Sequence, residues 1–217
     1  MRASGKRGDT MRIKMLVLSL CALVLLGCSD QSKSERPRYG PDPDYRSISV
    51  VVPQHYDAWV ETFILESVSG EIGWRAPIGI ITCCWEHPSG KSAEWQAMPG
   101  LVLIKWFSFA EQQSYRALIQ LENAREIEEK MKKIAPYERY GKNFEVPRYN
   151  LVFGLAPGGT VVVWIMNGAE NAIEIGRYQA KPYDHKKEGE DYTRRTESYF
   201  ERQGDYLQKN GIRYDGW

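Results

Sequence analysis

Residues 149 to 168 read YNLVFGLAPGGTVVVWIMNG: two apolar, β-branched and aromatic runs separated by Pro157-Gly158-Gly159. Such runs favour extended backbone, and a Pro-Gly-Gly turn reverses the chain between them, so the stretch predicts a β-hairpin. The segment beyond it, NAIEIGRYQAKPY (171–183), adds a third strand with Ile173, Ile175 and Tyr178 on one side. Upstream, PGLVLIKWFS (99–108) is a strand launched by a Pro-Gly turn, and SISVVVP (47–53) is another. WVETFILESV (59–68) alternates in part, with Trp59, Thr62 and Ile64 opposed to Val60, Phe63 and Leu65. One further strand is expected near Ile80 to Trp85, and SYRALIQL (114–121) suits a strand or a helix start equally.

Two segments have helical periodicity. ENAREIEEKMKKIAP (122–136) places Ala124, Ile127, Met131 and Ile134 on one stripe, with Asn123 as cap and Pro136 as stop. Glu126–Lys130, Glu128–Lys132 and Glu129–Lys133 are spaced for ion pairs along its solvated face. EDYTRRTESYFERQGDYLQKNG (190–211) repeats aromatic and apolar residues at Tyr192, Tyr199, Phe200, Tyr206 and Leu207, ending before Gly211. That stripe packs on a sheet, as such stripes usually do, or faces a partner. The expected fold is α+β: a largely antiparallel, sandwich-like β-sheet of six or seven strands with two amphipathic helices.

The N-terminus carries a different message. Met15 to Gly27 is an apolar run of 13 residues behind Arg2, Lys6, Arg7, Arg12 and Lys14. A membrane-spanning helix needs roughly 20 apolar residues, so the run is a secretory signal. It closes on LVLLGCSD (23–30), where Leu25-Leu26-Gly27-Cys28 resembles the lipobox of bacterial lipoproteins. In that class the cysteine thiol is acylated and the chain is cut before it. MRIKMLVLSL, starting at Met11, is a complete signal opening by itself. Residues 1–27 are thus read as signal peptide, 28–45 as a Ser-, Pro- and charge-rich tether, and 46–217 as one periplasmic domain. Ser29, where aspartate would favour the inner membrane, directs the protein to the periplasmic face of the outer membrane, although Asp30 follows it.

Composition excludes several classes. Without the leader the chain holds 24 basic and 27 acidic residues, a balance of −3 that gives no basis for nucleic-acid binding. Past Cys28 the remaining cysteines are Cys83 and Cys84. Neighbouring strand residues point to opposite faces, so an ordinary cross-link between them is geometrically poor. Two outcomes stay open: a strained vicinal disulfide in the oxidising periplasm, or two half-buried thiols. His87 stands close by, but three ligands on an extended segment do not make a zinc site, and no metal or cofactor is expected.

No reaction site assembles from spacing. Gly154 to Thr160 lacks a phosphate-loop lysine and leads into a strand, no G-x-S-x-G elbow occurs, and His55, His87 and His185 have no triad pattern around them. Asp184-His185 are merely adjacent, and Glu170 with Glu174 is an ordinary surface pair. The chain reads as a non-enzyme.

PGLVLIKWFSFAEQQSYRALIQL (99–121), the GLAPGG hairpin and AIEIGRYQA (172–180) resemble a family of uncharacterised bacterial lipoproteins, classed as a domain of unknown function. The Cys83-Cys84 pair before a P-G-x-V-x-I-x-W strand is similar to a second such family. Members of these groups are often encoded near type VI secretion phospholipase effectors, and some resemble their immunity proteins. The resemblance implies a lipid-anchored binder that blocks a phospholipase effector through an aromatic-rich face, with Trp74, Trp85 and Trp95 as candidates. The other expectation is an envelope scaffold lipoprotein with no toxin partner. Replacing Cys28 with alanine is expected to abolish lipid modification and release the protein from the membrane fraction, as read by mass spectrometry and fractionation.

Overall fold

The structure, a computed structural model, describes residues 46–217. The signal peptide, Cys28 and the tether lie outside the described residues. The fold is α+β, built of open, mostly antiparallel sheets and two helices.

The hairpin forms as its sequence dictates, from β10 (Asn150–Ala156) and β11 (Thr160–Met166), paired Asn150 to Met166 through Ala156 to Thr160. Gly158 and Gly159 take φ of 77° in the turn, a conformation glycine adopts without penalty. Neither strand alternates in polarity because the sheet is covered on both faces, a pattern of internal strands. One face carries Leu151, Phe153, Leu155, Val161, Val163 and Ile165; the other carries Val152, Val162, Trp164 and Met166. β12 (Ile173–Gln179) joins β11 across a bulge at Val163/Trp164, which lets Ile173, Ile175 and Tyr178 all reach the core side.

On the other edge, β1 (Ser47–Val51) runs parallel to β10, Ser47 opposite Asn150 and Val51 opposite Gly154. β5 (Lys91–Glu94) then closes the five-stranded sheet in the order β12-β11-β10-β1-β5. The polar groups that this burial encloses are paired. Asn150 Nδ2 donates to the Met166 carbonyl at 3.1 Å, Ser47 donates to Asn150, and Asn167 Oδ1 accepts from the Tyr149 N–H at 2.8 Å.

The second sheet follows the order β13-β7-β6-β2-β3, from β2 (Ala58–Ser67), β3 (Gly73–Arg75), β6 (Pro99–Ser108), β7 (Gln113–Gln120) and β13 (Lys181–Tyr183), with β4 (Gly79–Ile81) also on β2. Its inner residues, including Phe63, Leu65, Val102, Ile104 and Ile119, share one core with the inner face of the first sheet. The Phe63 and Phe153 rings meet edge to face at 5.6 Å. β8 (Ile134–Arg139) and β9 (Lys142–Pro147) form a separate hairpin.

Several expectations are corrected. Of the strand expected near Ile80–Trp85 only the start forms, as β4; β3 is a further short strand ahead of it, and SYRALIQL is strand from Ser114 to Gln120. Thirteen strands are present among the described residues, not six or seven. Helix α1 (Ala124–Lys132) ends ahead of Pro136, because Lys133 is already extended; Asn123 makes no side-chain cap. Ile134 therefore leaves the stripe, opens β8 and is 60% exposed. Of the expected ion pairs, Glu126–Lys130 forms, while Lys132 pairs with Glu129.

Helix α2 (Thr193–Asn210) lies with its aromatic stripe on the six-stranded sheet: Tyr199, Phe200, Tyr206 and Leu207 pack in a second cluster with Trp59, Phe107 and Phe109. Its entry is pinned by Glu61, whose Oε2 accepts the hydroxyls of Tyr183 (3.1 Å) and Tyr192 (3.0 Å). Burial, then the Glu61 charge, raises both phenols above their ordinary value. Among the described residues, no helix is long and apolar enough to cross a membrane.

Phe153→Ala empties a site that both sheets line and is expected to cost about 3–5 kcal/mol of stability by urea denaturation. Leu118→Ala, at a side chain 68% exposed on β7, is expected to stay within about 0.5 kcal/mol of the parent.

Candidate functional site

An open cleft of about 970 Å³ lies where three segments meet: the turn after β1, the chain following β4, and one face of α2. Its walls include Gln54, His55, Asp57, Cys83, Cys84, Trp85, Arg202 and Gln203.

The β1–β2 turn is held from both ends. Tyr56 N–H donates to the Pro53 carbonyl at 3.1 Å, and Tyr199 Oη donates to the His55 carbonyl at 2.7 Å. His55 takes φ of 74°, a left-handed conformation that side chains other than glycine seldom adopt. Its ring stacks on Tyr206 with centroids 3.7 Å apart, and its Nδ1 is 2.8 Å from Gln203 Oε1. The imidazole is thus clamped between two turns of α2.

Asp57 begins the approach to β2 and is only 2% exposed. Arg202 Nη2 donates to its Oδ2 at 2.8 Å, from a side chain that is half exposed. Burial is the largest influence on this carboxyl and raises its pKa; the guanidinium opposes that shift without reversing it. The cleft wall therefore contains a carboxylate that is costly to ionise and an arginine that offsets part of that cost.

The third wall is a disulfide between Cys83 and Cys84. The Cys83 carbonyl accepts the Val52 N–H at 3.1 Å, and Val52 and Cys84 form a parallel bridge, so the pair is stitched to the end of β1. Cys84 has φ of 84° and Glu86 has 56°. With His55, three of the five described non-glycine residues at positive φ thus lie on or beside this cleft, as held-open backbone tends to do at sites of function. Trp85 turns inward to meet Trp164 at 4.9 Å and Trp217 at 5.7 Å, both edge to face. A Cβ on Gly154 would lie 2.6 Å from the Trp85 ring and 2.5 Å from that of Trp164, so the two indoles occupy a notch that only glycine leaves.

Of the residues singled out from sequence, Cys83, Cys84 and Trp85 come together here. Trp74 does not: it lies on β3, 7% exposed, inside the core shared by the sheets, and presents no ring at the surface. Trp95 is half-buried against the same core, away from the cleft. Cys28 lies outside the described residues. His55, Asp57, Arg202 and Gln203 were not singled out as a group, because partners 145 and 148 positions apart leave no local signal. Among the described residues, no cluster of three or more His, Cys, Asp or Glu is placed to hold a metal ion.

Chemically the cleft offers two amides, a guanidinium, a neutral sulfur face and an indole edge, a set suited to binding a polar partner. These features define an α+β domain with an open cleft walled by a vicinal disulfide and by an ion pair between half-exposed Arg202 and buried Asp57. The chain belongs to the family described as Protein of unknown function (DUF2931), which matches residues 30–215. The expected likeness to a family of unknown function therefore holds. No curated protein and no solved structure matches the chain.

Removing Arg202 leaves Asp57 buried and unpaired, so Arg202→Ala is expected to cost about 1–3 kcal/mol at neutral pH. Because the folded-state value of Asp57 is raised, its contribution to stability is complete below the ordinary carboxylate value and falls as pH rises through the raised one. Asp57→Asn is expected to flatten that limb, seen in urea denaturation from acid to neutral pH.

Proposed function

We propose that this protein is lipid-anchored through Cys28 at the periplasmic face of the outer membrane, and that it binds and blocks a type VI secretion phospholipase effector. The observation that carries the reading is the disulfide on the cleft wall. Disulfides persist in oxidising envelope compartments and are rare in the cytosol, which accords with the leader and lipobox of the sequence. The protein acts by binding, not by catalysis. Its inhibitory face is the cleft rim, where Arg202 is held by Asp57 and Gln203 by His55, with Gln54 and Trp85 on the same lining, and these residues reach toward the effector's active site or lid. A tethered binder at the membrane also raises its own concentration where a phospholipase attacks.

We also read the two larger sheets, whose inner faces share one core, as a β-sandwich: a rigid body that presents the cleft without a large change of shape on binding.

Affinity capture of the tagged, lipidated protein from the envelope of effector-expressing cells tests this directly. A stoichiometric phospholipase is the expected partner, with capture weakened at least tenfold by Arg202→Glu. Recovery of envelope-structure proteins alone would replace the immunity reading with a scaffold role.

A further inference from the structure

A cross-link stabilises a protein mainly by closing a loop in the unfolded chain, and the effect grows with the length of that loop. Cys83 and Cys84 are adjacent, so their disulfide closes almost none. Its effect is local, on the segment that enters the cleft. Cys83 is exposed, Cys84 is half-buried, and both residues line the open cleft. Cys84 is held at φ of 84°, and its carbonyl accepts the His87 N–H at 2.9 Å to form the turn that carries Trp85. Trp85 in turn fills the notch over Gly154 against Trp164 and Trp217.

We propose that Cys83–Cys84 is a thiol-exchange site for low-molecular-mass thiols entering the cleft, and that its redox state sets the position of Trp85. The incoming thiolate attacks Sγ of Cys83, the more exposed residue of the pair. A mixed disulfide forms there, the Cys83–Cys84 bond breaks, and its electron pair leaves on Cys84 Sγ, which takes up the proton the incoming thiol has lost. A second thiolate attacks the small-molecule sulfur of the mixed disulfide, releasing Cys83 as a thiolate that is protonated in turn. Two small thiols are oxidised to one disulfide, and the protein disulfide is reduced to two thiols. With the sulfurs apart, the left-handed turn at Cys84 loses its tie and relaxes toward the extended conformations its side chain prefers. Trp85 is then drawn out of the notch, and the cleft wall changes shape. None of these steps requires the effector.

The test uses the full lipidated chain in detergent, equilibrated in reduced and oxidised glutathione mixtures. Free thiols are trapped by alkylation and located by mass spectrometry, while tryptophan emission and the thermal midpoint are recorded in parallel. Cys83 and Cys84 are expected to become alkylated together, with an emission shift that follows the labelling and a thermal midpoint that moves little. The emission shift should be lost in Trp85→Phe, in which labelling persists. It should also be lost in the Cys83→Ser, Cys84→Ser double variant, whose emission should match that of the reduced protein. Resistance of the folded pair to glutathione would overturn the proposal. So would reduction with unchanged emission, or reduction that unfolds the whole domain. Effector capture on the oxidised parent protein reads the binding function separately, so failure of one leaves the other standing.

Discussion

Burial of β10 on both faces is the constraint from which the rest of this domain follows. Its residues are buried along their whole length, with antiparallel β11 on one side and parallel β1 on the other. A strand in that position must be apolar on both faces, and every polar group it retains must be paired inside. Asn150 meets that demand through Ser47 and the Met166 carbonyl. The parallel pairing joins residues about a hundred positions apart, and it fixes where the chain emerges after β1, at the turn bearing His55 and Asp57.

Gly154 connects this strand to the cleft. The absence of a side chain there allows the Trp85 and Trp164 rings to settle over the backbone, and Trp85 is the residue after the disulfide. The packed interior of the five-stranded sheet and the shape of the surface cleft therefore share one notch. Close-packed interiors transmit small displacements, so a change at the sulfur pair acts directly on a ring lodged in the sheet. The opposite wall is built on α2. α2 holds His55 by stacking and hydrogen bonds, holds Asp57 through Arg202, and is itself seated on Trp59, Phe107 and Phe109.

The charged and polar groups of the cleft are committed to one another. The raised value of Asp57 comes mainly from burial, and the carboxylate is committed to Arg202. His55 has its Nδ1 against Gln203 and its face against Tyr206. Groups held in this way bind with little loss of side-chain freedom, since their rotamers are fixed before a partner arrives.

Long apolar runs were legible as strands: β1, β2, β6, the β10–β11 hairpin and β12 follow from composition and turn chemistry, and both helices from their periodicity. The missed strands, β3 (GWR), β5 (KSAE), β8 (IAPYER), β9 (KNFEVP) and β13 (KPY), are short or polar, and are strands only because a neighbour pairs with them. The same holds for SYRALIQL, which β6 and β13 draw into the sheet. At the site, the sequence by itself determined that two adjacent cysteines and a tryptophan stand together, because adjacency is covalent. Only the tertiary structure decided that Trp74 belongs to the core, and that His55, Asp57, Arg202 and Gln203 share one cleft. Those contacts join residues up to 148 positions apart, and such pairings come from the docking of α2 on the sheet, which no local pattern encodes.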